Sequence, residues 1–285
     1  MNSTTTTTTF SLTARISARM GAWWARHREP RRRAALRRRC PPATMAAGQI
    51  PPAVRAVWAQ QAPDEFPGLA VDDAAWLRCS LGLAQFFEVC RIQAPHGACA
   101  LPSKAADSVW HAWLAADAAG LADWQQRHFG RVFDHQETAA LGAGPEDALA
   151  CTWAGACRSE GVALLGPKLP LLFALDGLLR LPTGWAYRHE DGRLVHRQVD
   201  GFGRPSGDRV AHGATAGDRL VALGLMSQEE LTVARRRQSS DSGGGSGGSS
   251  CGSSWSAAGG SSSDASSDGG GSSCGSSCGG GGGGD

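Results

Sequence analysis

The sequence predicts a mainly α-helical single domain with a small β-hairpin, flanked by a disordered N-terminal arm and a disordered Gly/Ser-rich C-terminal tail. Apolar residues recur at helical spacing, between capping residues, from residue 49 to residue 238. Residues 1–48 are Thr- and Arg-rich, and residues 239–285 are almost entirely Gly, Ser, Asp and Cys. Such compositions bury too little apolar surface to fold, whereas the middle segment is long enough for one domain.

Two helices are expected at the start of this domain. In "QIPPAVRAVWAQQ" the Pro-Pro pair favours a helix start, and Val54, Val57 and Trp58 form an apolar stripe. The following "PDEFPG" is expected to end that helix. Asp72 is a predicted N-cap for a second helix through "AAWLRCSLGLAQFFEVCR", which is apolar nearly all round and therefore predicted to be central.

Two further helices have recognisable ends. Ser103 is the predicted N-cap of the third, Gly120 a predicted bend and Gly130 its C-terminal glycine. Pro145 opens the fourth, and Gly161 closes it.

The last predicted elements are short. "LPLLFALDGLLRLP" lies between prolines and is predicted to be a short buried helix. Asp191-Gly192 separates two alternating runs, which indicates a hairpin. Ser227-x-x-Glu230 is a capping box for a final exposed helix.

Charge is distributed unevenly along the chain. Residues 1–44 hold ten Arg and the single acid Glu29, a net charge of +9, whereas the remainder carries −7. A basic arm of this kind can contact nucleic acid, anionic lipid or its own acidic body, although a solvated arm is the simplest interpretation. Met20 or Met45 as the working start is an alternative that would remove much of the arm.

The sequence predicts a cytoplasmic protein. No run approaches the roughly 18 apolar residues of a transmembrane helix, and no secretory signal is recognisable. The N-terminus is similar to an organellar transit peptide in its Ser, Thr and Arg content. The nine cysteines lack zinc-type spacing, so those of the body are expected to be reduced and buried. The tail thiols Cys251, Cys274 and Cys278 are expected to be accessible, for a soft metal or for cross-linking.

The residues most suited to chemistry lie in the third predicted helix, in "SKAADSVWHAW". Asp107 and His111 are four residues apart, which stacks them on one helical face within hydrogen-bonding reach. A carboxylate beside an imidazole fixes its tautomer and raises its basicity, as a general base or a metal ligand requires. His135 follows after Gly130 and a short loop, so it is expected to fold back and complete a candidate polar or divalent-metal site.

Two interpretations of these residues stay open. A buried Asp–His pair that satisfies its own hydrogen bonds needs no chemistry. A metal or catalytic site would use the same groups, with His96 and His128 as further candidates and Trp110 packed beside them. The sequence contains no motif of a serine hydrolase, a zinc metallopeptidase or a P-loop protein.

The segment "LPSKAADSVWHAWLAADAAGLADWQQRHFGRVFDHQ" resembles the core of the glycine-rich domain-containing protein-like family, over roughly residues 50–140. Its members carry an Asp-x-x-Trp-His element, often followed by a second His, and later an aromatic-Gly segment and another His. Trp113 stands where the family's second His occurs, and "LPLLFALDGLLRLPTGWAY" looks like a bacterial-type extension. The resemblance implies no established activity. The matching positions in this sequence are Asp107, Trp110, His111, Phe129, Gly130 and His135.

Two functional classes follow from the sequence. The first is a non-enzymatic binding or scaffold module with a protein partner. The second is a metal-dependent or hydrolytic enzyme that uses Asp107, His111 and His135. Bound metal in the purified protein, or convergence of those side chains in a cleft, would favour the enzyme, whereas a dry, closed pair without a pocket would favour the binding module.

Overall fold

The mainly helical fold class is confirmed. The computed structural model describes residues 34, 37, 38, 40–137, 144–241 and 276–278. Within that part of the chain lie eight α-helices and two three-stranded antiparallel sheets. The helices are α1 (Pro41–Ala47), α2 (Pro52–Glu65), α3 (Asp73–Gln93), α4 (Lys104–Phe129), α5 (Pro145–Glu160), α6 (Leu171–Leu179), α7 (Gly217–Ala222) and α8 (Gln228–Asp241), and the strands are β1 (Cys99–Ala100), β2 (Gln136–Glu137), β3 (Trp185–Glu190), β4 (Arg193–Val199), β5 (Pro205–His212) and β6 (Ser276–Cys278).

Helix α3 is the centre of the domain, as its apolar sequence predicted. Its N-cap Asp72 accepts a hydrogen bond from the Ala75 amide. Phe86 and Phe87 are fully buried, and the helix packs against α1, α4, α5 and α6. Gly155 of α5 permits a close approach to α3, because a Cβ there would lie 2.6 Å from a Val89 methyl group.

The folded domain begins earlier than the predicted boundary at residue 49. Helix α1 lies inside the segment assigned to the basic arm, and Cys40, Ala43 and Ala46 are buried against the core. The Ala46 carbonyl accepts a hydrogen bond of 3.2 Å from the Trp124 indole in α4. The apolar run of α1 is short and follows directly after Arg-rich residues, so composition alone assigned it to the arm.

Helix α2 continues through the predicted break. Pro63 lies in its last turn, where it removes only one backbone hydrogen bond, and the helix ends at Glu65. Trp58 is fully buried, and its indole N–H donates to the Ser108 hydroxyl of α4 at 2.8 Å. Helices α2 and α4 are therefore held in a fixed register.

Helix α4 begins and ends as predicted but bends elsewhere. Ser103 caps its start by accepting from the Ala106 amide, and Gly130 ends it in the left-handed conformation, with φ of 74°. The predicted bend at Gly120 lies instead at Asp117, whose backbone is extended and whose carboxylate accepts from the Gly120 amide. The side chain of Asp117 thus caps a new helical start inside α4.

Asp176 of α6 fastens the N-terminus of α4. One carboxylate oxygen accepts from the Ser103 hydroxyl at 2.6 Å and from the Ala105 amide, and the other accepts from the Lys104 and Trp185 amides. Burial raises the pKa of Asp176, and these donors oppose that shift. Asp176 therefore joins α6, the start of α4 and the start of β3. These contacts fix the position of the first turns of α4.

The predicted hairpin is confirmed, and the structure adds a third strand. Asp191 and Gly192 both have positive φ, at 50° and 75°, as a type I′ turn requires between β3 and β4. Strand β5 pairs with β4, with an irregularity between His196 and Gln198. The capping box before α8 also forms, since Ser227 and Glu230 exchange side-chain to backbone hydrogen bonds.

A second, very small sheet has the strand order β1-β6-β2. It places Ser276–Cys278 of the tail beside β2, directly after His135. The other predictions for the tail, including the accessibility of Cys251 and Cys274, concern residues outside the described ones. Among the helices that the structure describes, none combines the length and apolarity needed to cross a bilayer.

Candidate metal centre

Asp107 and His111 lie on one face of α4, as their spacing predicted. The Asp107 carboxylate is 8% exposed, whereas the His111 side chain is 31% exposed. Their closest atoms, Asp107 Oδ2 and His111 Nε2, are 3.5 Å apart. The pair therefore has a buried acidic side and an imidazole at the surface.

His135 joins this pair. The chain turns back after Gly130, and His135 Nε2 lies 3.2 Å from Asp107 Oδ1 and 3.0 Å from His111 Nε2. The Trp110 ring, which is fully buried, packs edge-on against the His135 ring at a centroid distance of 4.6 Å. Trp110 thus packs beside the site and orients His135.

Three ligand groups lie close together here. Asp107, His111 and His135 each offer one atom, and these atoms lie within 4.8 Å of one another. The two imidazole nitrogens are 3.0 Å apart, near the roughly 3.3 Å between ligand atoms of a tetrahedral Zn²⁺ with bonds of about 2.0–2.1 Å. The Asp107 carboxylate approaches His135 through Oδ1, at 3.2 Å, and His111 through Oδ2, at 3.5 Å. Two imidazoles and one carboxylate are also a ligand set suited to zinc or iron.

Glu65, at the end of α2, is a member of this cluster that the sequence did not reveal. Its carboxylate contacts His111 Nδ1, on the side of the ring opposite Nε2. Glu65 reaches this position because α2 continues past Pro63. The sequence analysis missed it because "PDEFPG" was expected to end the helix earlier. Phe66, directly after Glu65, lies against the His111 ring at 6.1 Å between centroids.

The other candidate histidines lie away from this cluster. His96 is exposed in the turn after α3. His128 packs on the Trp124 ring, and burial lowers its pKa. Neither belongs to the metal-capable group that the described residues form.

The cysteines of the body are confirmed as buried packing residues. All six described ones are buried and none is in a disulfide with another described residue: Cys40, Cys79, Cys90, Cys99, Cys151 and Cys157. Burial raises the pKa of the Cys40 thiol to about 11 and that of Cys151 to about 12. These two thiols are therefore protonated at neutral pH and are poor nucleophiles.

A family model described as UCP032817-like matches residues 56–206, more than half of the chain. The chain belongs to the UCP032817-like family. The matched range runs from α2 into β5 and includes Glu65, Asp107, His111 and His135. No curated protein and no solved structure matches the chain. The resemblance to the glycine-rich domain-containing protein-like family stays a prediction.

A second carboxylate–imidazole cluster of this UCP032817-like protein also escaped the sequence analysis. On the three-stranded sheet, His196 Nδ1 lies 2.7 Å from His212 Nε2, and His212 Nδ1 lies 2.7 Å from Glu146 Oε1 of α5. The sequence did contain a clue to this cluster. Tyr187 and His189 alternate on one strand, so they share a face of the sheet, and His196 follows on the next strand. Burial, with a further contribution from His212, lowers the pKa of His196 to about 4.

Proposed function

We propose that this domain is a metal-binding module that holds one divalent transition-metal ion through Asp107, His111 and His135. The observation that supports the proposal is the convergence of two imidazoles and a buried carboxylate, whose ligand atoms lie within 4.8 Å of one another and whose imidazole nitrogens are 3.0 Å apart. The ligands come from two turns of α4 and from the segment after it. A bound metal would therefore tie these two segments together.

The metal-free interpretation of the same residues is a hydrogen-bonded lock. Two imidazole nitrogens 3.0 Å apart must then share one proton, and the buried carboxylate must accept from His135. Such a lock would hold the loop to α4, with the His135 Nε2–H shared between His111 Nε2 and Asp107 Oδ1. A divalent ion would instead give each of the three groups its own bond, which supports the metal-binding proposal.

A metal-dependent hydrolytic enzyme is the second candidate. Three protein ligands leave a fourth position for water, as catalytic zinc sites do, whereas structural zinc sites have four protein ligands. The exposure of His111 favours access of solvent to that position. As a binding module the domain would instead use the metal to fix a surface for a protein partner.

The test is metal analysis of the full chain, followed by competition titration with Zn²⁺ and Co²⁺. We expect one equivalent of bound metal and a Co²⁺ spectrum of a nitrogen and oxygen site. Asp107→Asn, His111→Gln and His135→Gln should each weaken binding by more than about 100-fold. His96→Gln, an exposed histidine outside the cluster, is the matched control.

Two outcomes would refute the metal site. One is the absence of saturable binding in the wild-type chain, and the other is unchanged affinity in all three variants. Replacing Cys251, Cys274 and Cys278 by Ser excludes binding by the tail thiols, whose Co²⁺ spectrum would show sulfur charge-transfer bands. A deprotonation near neutral pH in the Co²⁺ spectrum would indicate a bound water and favour the enzyme.

A further inference from the structure

The His111 ring uses its two nitrogens in different directions. Nε2 faces Asp107 and His135, where the proposed metal would bind, and Nδ1 contacts the Glu65 carboxylate. A histidine that ligates a metal through Nε2 commonly donates its Nδ1–H to a carboxylate, which fixes the tautomer and strengthens the ligand. Glu65 stands where that carboxylate is required.

The position of Glu65 is set by the packing of α2 on α4. The buried Trp58 side chain donates to Ser108, which lies one residue after Asp107. From that contact α2 continues for seven residues to its last residue, Glu65, and its register delivers the carboxylate to His111. The site is thus assembled from α2, α4 and the segment after α4.

The helix dipole does not explain a carboxylate at this position. The C-terminal end of a helix carries partial negative charge, so an acid there is destabilising by about 0.3–1 kcal/mol. Asp64 shares this unfavourable position and is exposed. The contact with His111 is what distinguishes Glu65 from its neighbour.

We infer that Glu65 is the positioning residue of the metal site, acting through His111. It holds the Nδ1–H tautomer of His111 and directs the Nε2 lone pair at the metal. This inference rests on the proposed metal-binding function. It adds that the metal affinity depends on the docking of α2, an element that contributes no ligand of its own.

Three variants of the full chain test the inference. Glu65→Ala removes the acceptor, Glu65→Gln keeps an acceptor but removes the charge, and Asp64→Asn removes the same charge one residue away. We expect Glu65→Ala to weaken Zn²⁺ binding by about 10–100-fold, Glu65→Gln to weaken it less, and Asp64→Asn to leave it within about twofold. Nitrogen-15 shifts of the His111 ring should report loss of the single tautomer in Glu65→Ala alone.

The possible results separate this inference from the proposed function. If the wild-type chain binds Zn²⁺ and Glu65→Ala changes neither the affinity nor the tautomer, the positioning role is refuted and the site stands. If Glu65→Ala removes a ligand from the Co²⁺ coordination sphere, Glu65 binds the metal directly and the positioning role is again refuted. A wild-type chain that binds no metal refutes both. Equal losses in Asp64→Asn and Glu65→Gln would assign the effect to net charge.

Discussion

The domain contains two clusters of carboxylates and imidazoles, and they are built differently. At α4 the groups converge, since Asp107, His111 and His135 all direct an atom at one point. On the sheet the groups form a line, in which Glu146 contacts His212 and His212 contacts His196. Similar residue types therefore produce a metal-capable centre in one place and a hydrogen-bonded chain in the other.

The difference lies in how many ligand groups meet at one place. His212 contacts one neighbour through each nitrogen, each at 2.7 Å, and the described residues bring no third ligand group to either contact. His111 also uses both nitrogens, Nδ1 for Glu65 and Nε2 toward His135, but the Asp107 carboxylate is a third group beside that second contact. The family match includes all the residues of the convergent cluster but stops before His212. Counting the groups that meet at one place is thus more informative than counting histidines.

The largest expected effect is on Zn²⁺ affinity, which should fall on mutation of the α4 cluster and not on mutation of the sheet cluster. His135→Gln should weaken Zn²⁺ binding by more than about 100-fold, because it removes one of three ligands. His196→Gln should change the affinity by less than about threefold, since the described residues of the sheet form no metal-capable group. Competition titration of both variants measures this difference, and comparable losses in the two would abolish the distinction between the clusters.

The next effect is a loss of stability in acid that originates on the sheet. Burial lowers the pKa of His196 to about 4 and also lowers the pKa of His189, whereas both titrate near 6.5 in the unfolded chain. The unfolded chain therefore gains protons first as the pH falls below about 6.5, and the stability that these neutral rings contribute at pH 7 is lost toward pH 4. The groups that face His196 are His212, Tyr187 and Trp185, with Glu146 beyond His212.

Urea unfolding of metal-free protein at pH 7 and pH 5 measures this loss. We expect the free energy of unfolding to fall by about 1–2 kcal/mol, after allowance for solvent screening of the half-buried His196 ring. His196→Gln should reduce that fall, and His96→Gln should not. An equal fall in wild type and His196→Gln would show that the acid sensitivity arises elsewhere.

A smaller effect concerns the buried acid of the convergent cluster. In metal-free protein, His111→Phe removes one partner of Asp107, and His135 remains within hydrogen-bonding distance. We therefore expect a loss of about 1 kcal/mol in the free energy of unfolding, at the low end of the cost of an unsatisfied buried group. Adding Asp107→Asn should recover part of it. Urea unfolding of the single and double variants measures the recovery, and additive losses would indicate that Asp107 does not depend on His111.

The smallest effect is expected at the exposed end of the linear chain. The Glu146 side chain is 49% exposed, so solvent screens its pairing with His212. Glu146→Gln should cost about 0.5 kcal/mol and leave metal binding unchanged. Thermal unfolding and Zn²⁺ titration of the same variant test both parts. A loss of stability as large as that for a buried pair would show that Glu146 and His212 interact more strongly than the exposure of Glu146 suggests.

Local sequence rules predicted the ends of elements well. Asp72, Ser103 and Gly130 act as the caps that their residue types indicate, and Asp191-Gly192 forms the expected turn. These features depend on interactions within a few residues, so the sequence carries the information directly. The Asp107–His111 pair was predictable for the same reason, because helical spacing alone places the two side chains together.

Features that depend on tertiary packing were missed. Helix α1 owes its burial to contacts with α3 and α4, and α2 extends past Pro63 while docked on α4. Glu65 therefore reaches His111 across 46 positions of sequence, and Glu146 reaches His212 across 66. Rules based on neighbouring residues cannot predict contacts between residues so far apart in the sequence. The return of His135 toward Asp107 and His111 was predictable, because Gly130 ends α4 and the chain turns there.

The bend at Asp117 also divides α4 into two parts with separate N-terminal caps. The first part is fastened at its start by Asp176 and carries Asp107 and His111. The second part begins at the Asp117 cap, packs its own apolar side chains into the core and leads into the loop with His135. Residues 114–119 around the bend are exposed, so amide hydrogen exchange should be fastest there and slower on either side of it. Local opening at the bend would leave both parts packed in the core, so the residues of the proposed site would keep their places while the helix between them exchanges.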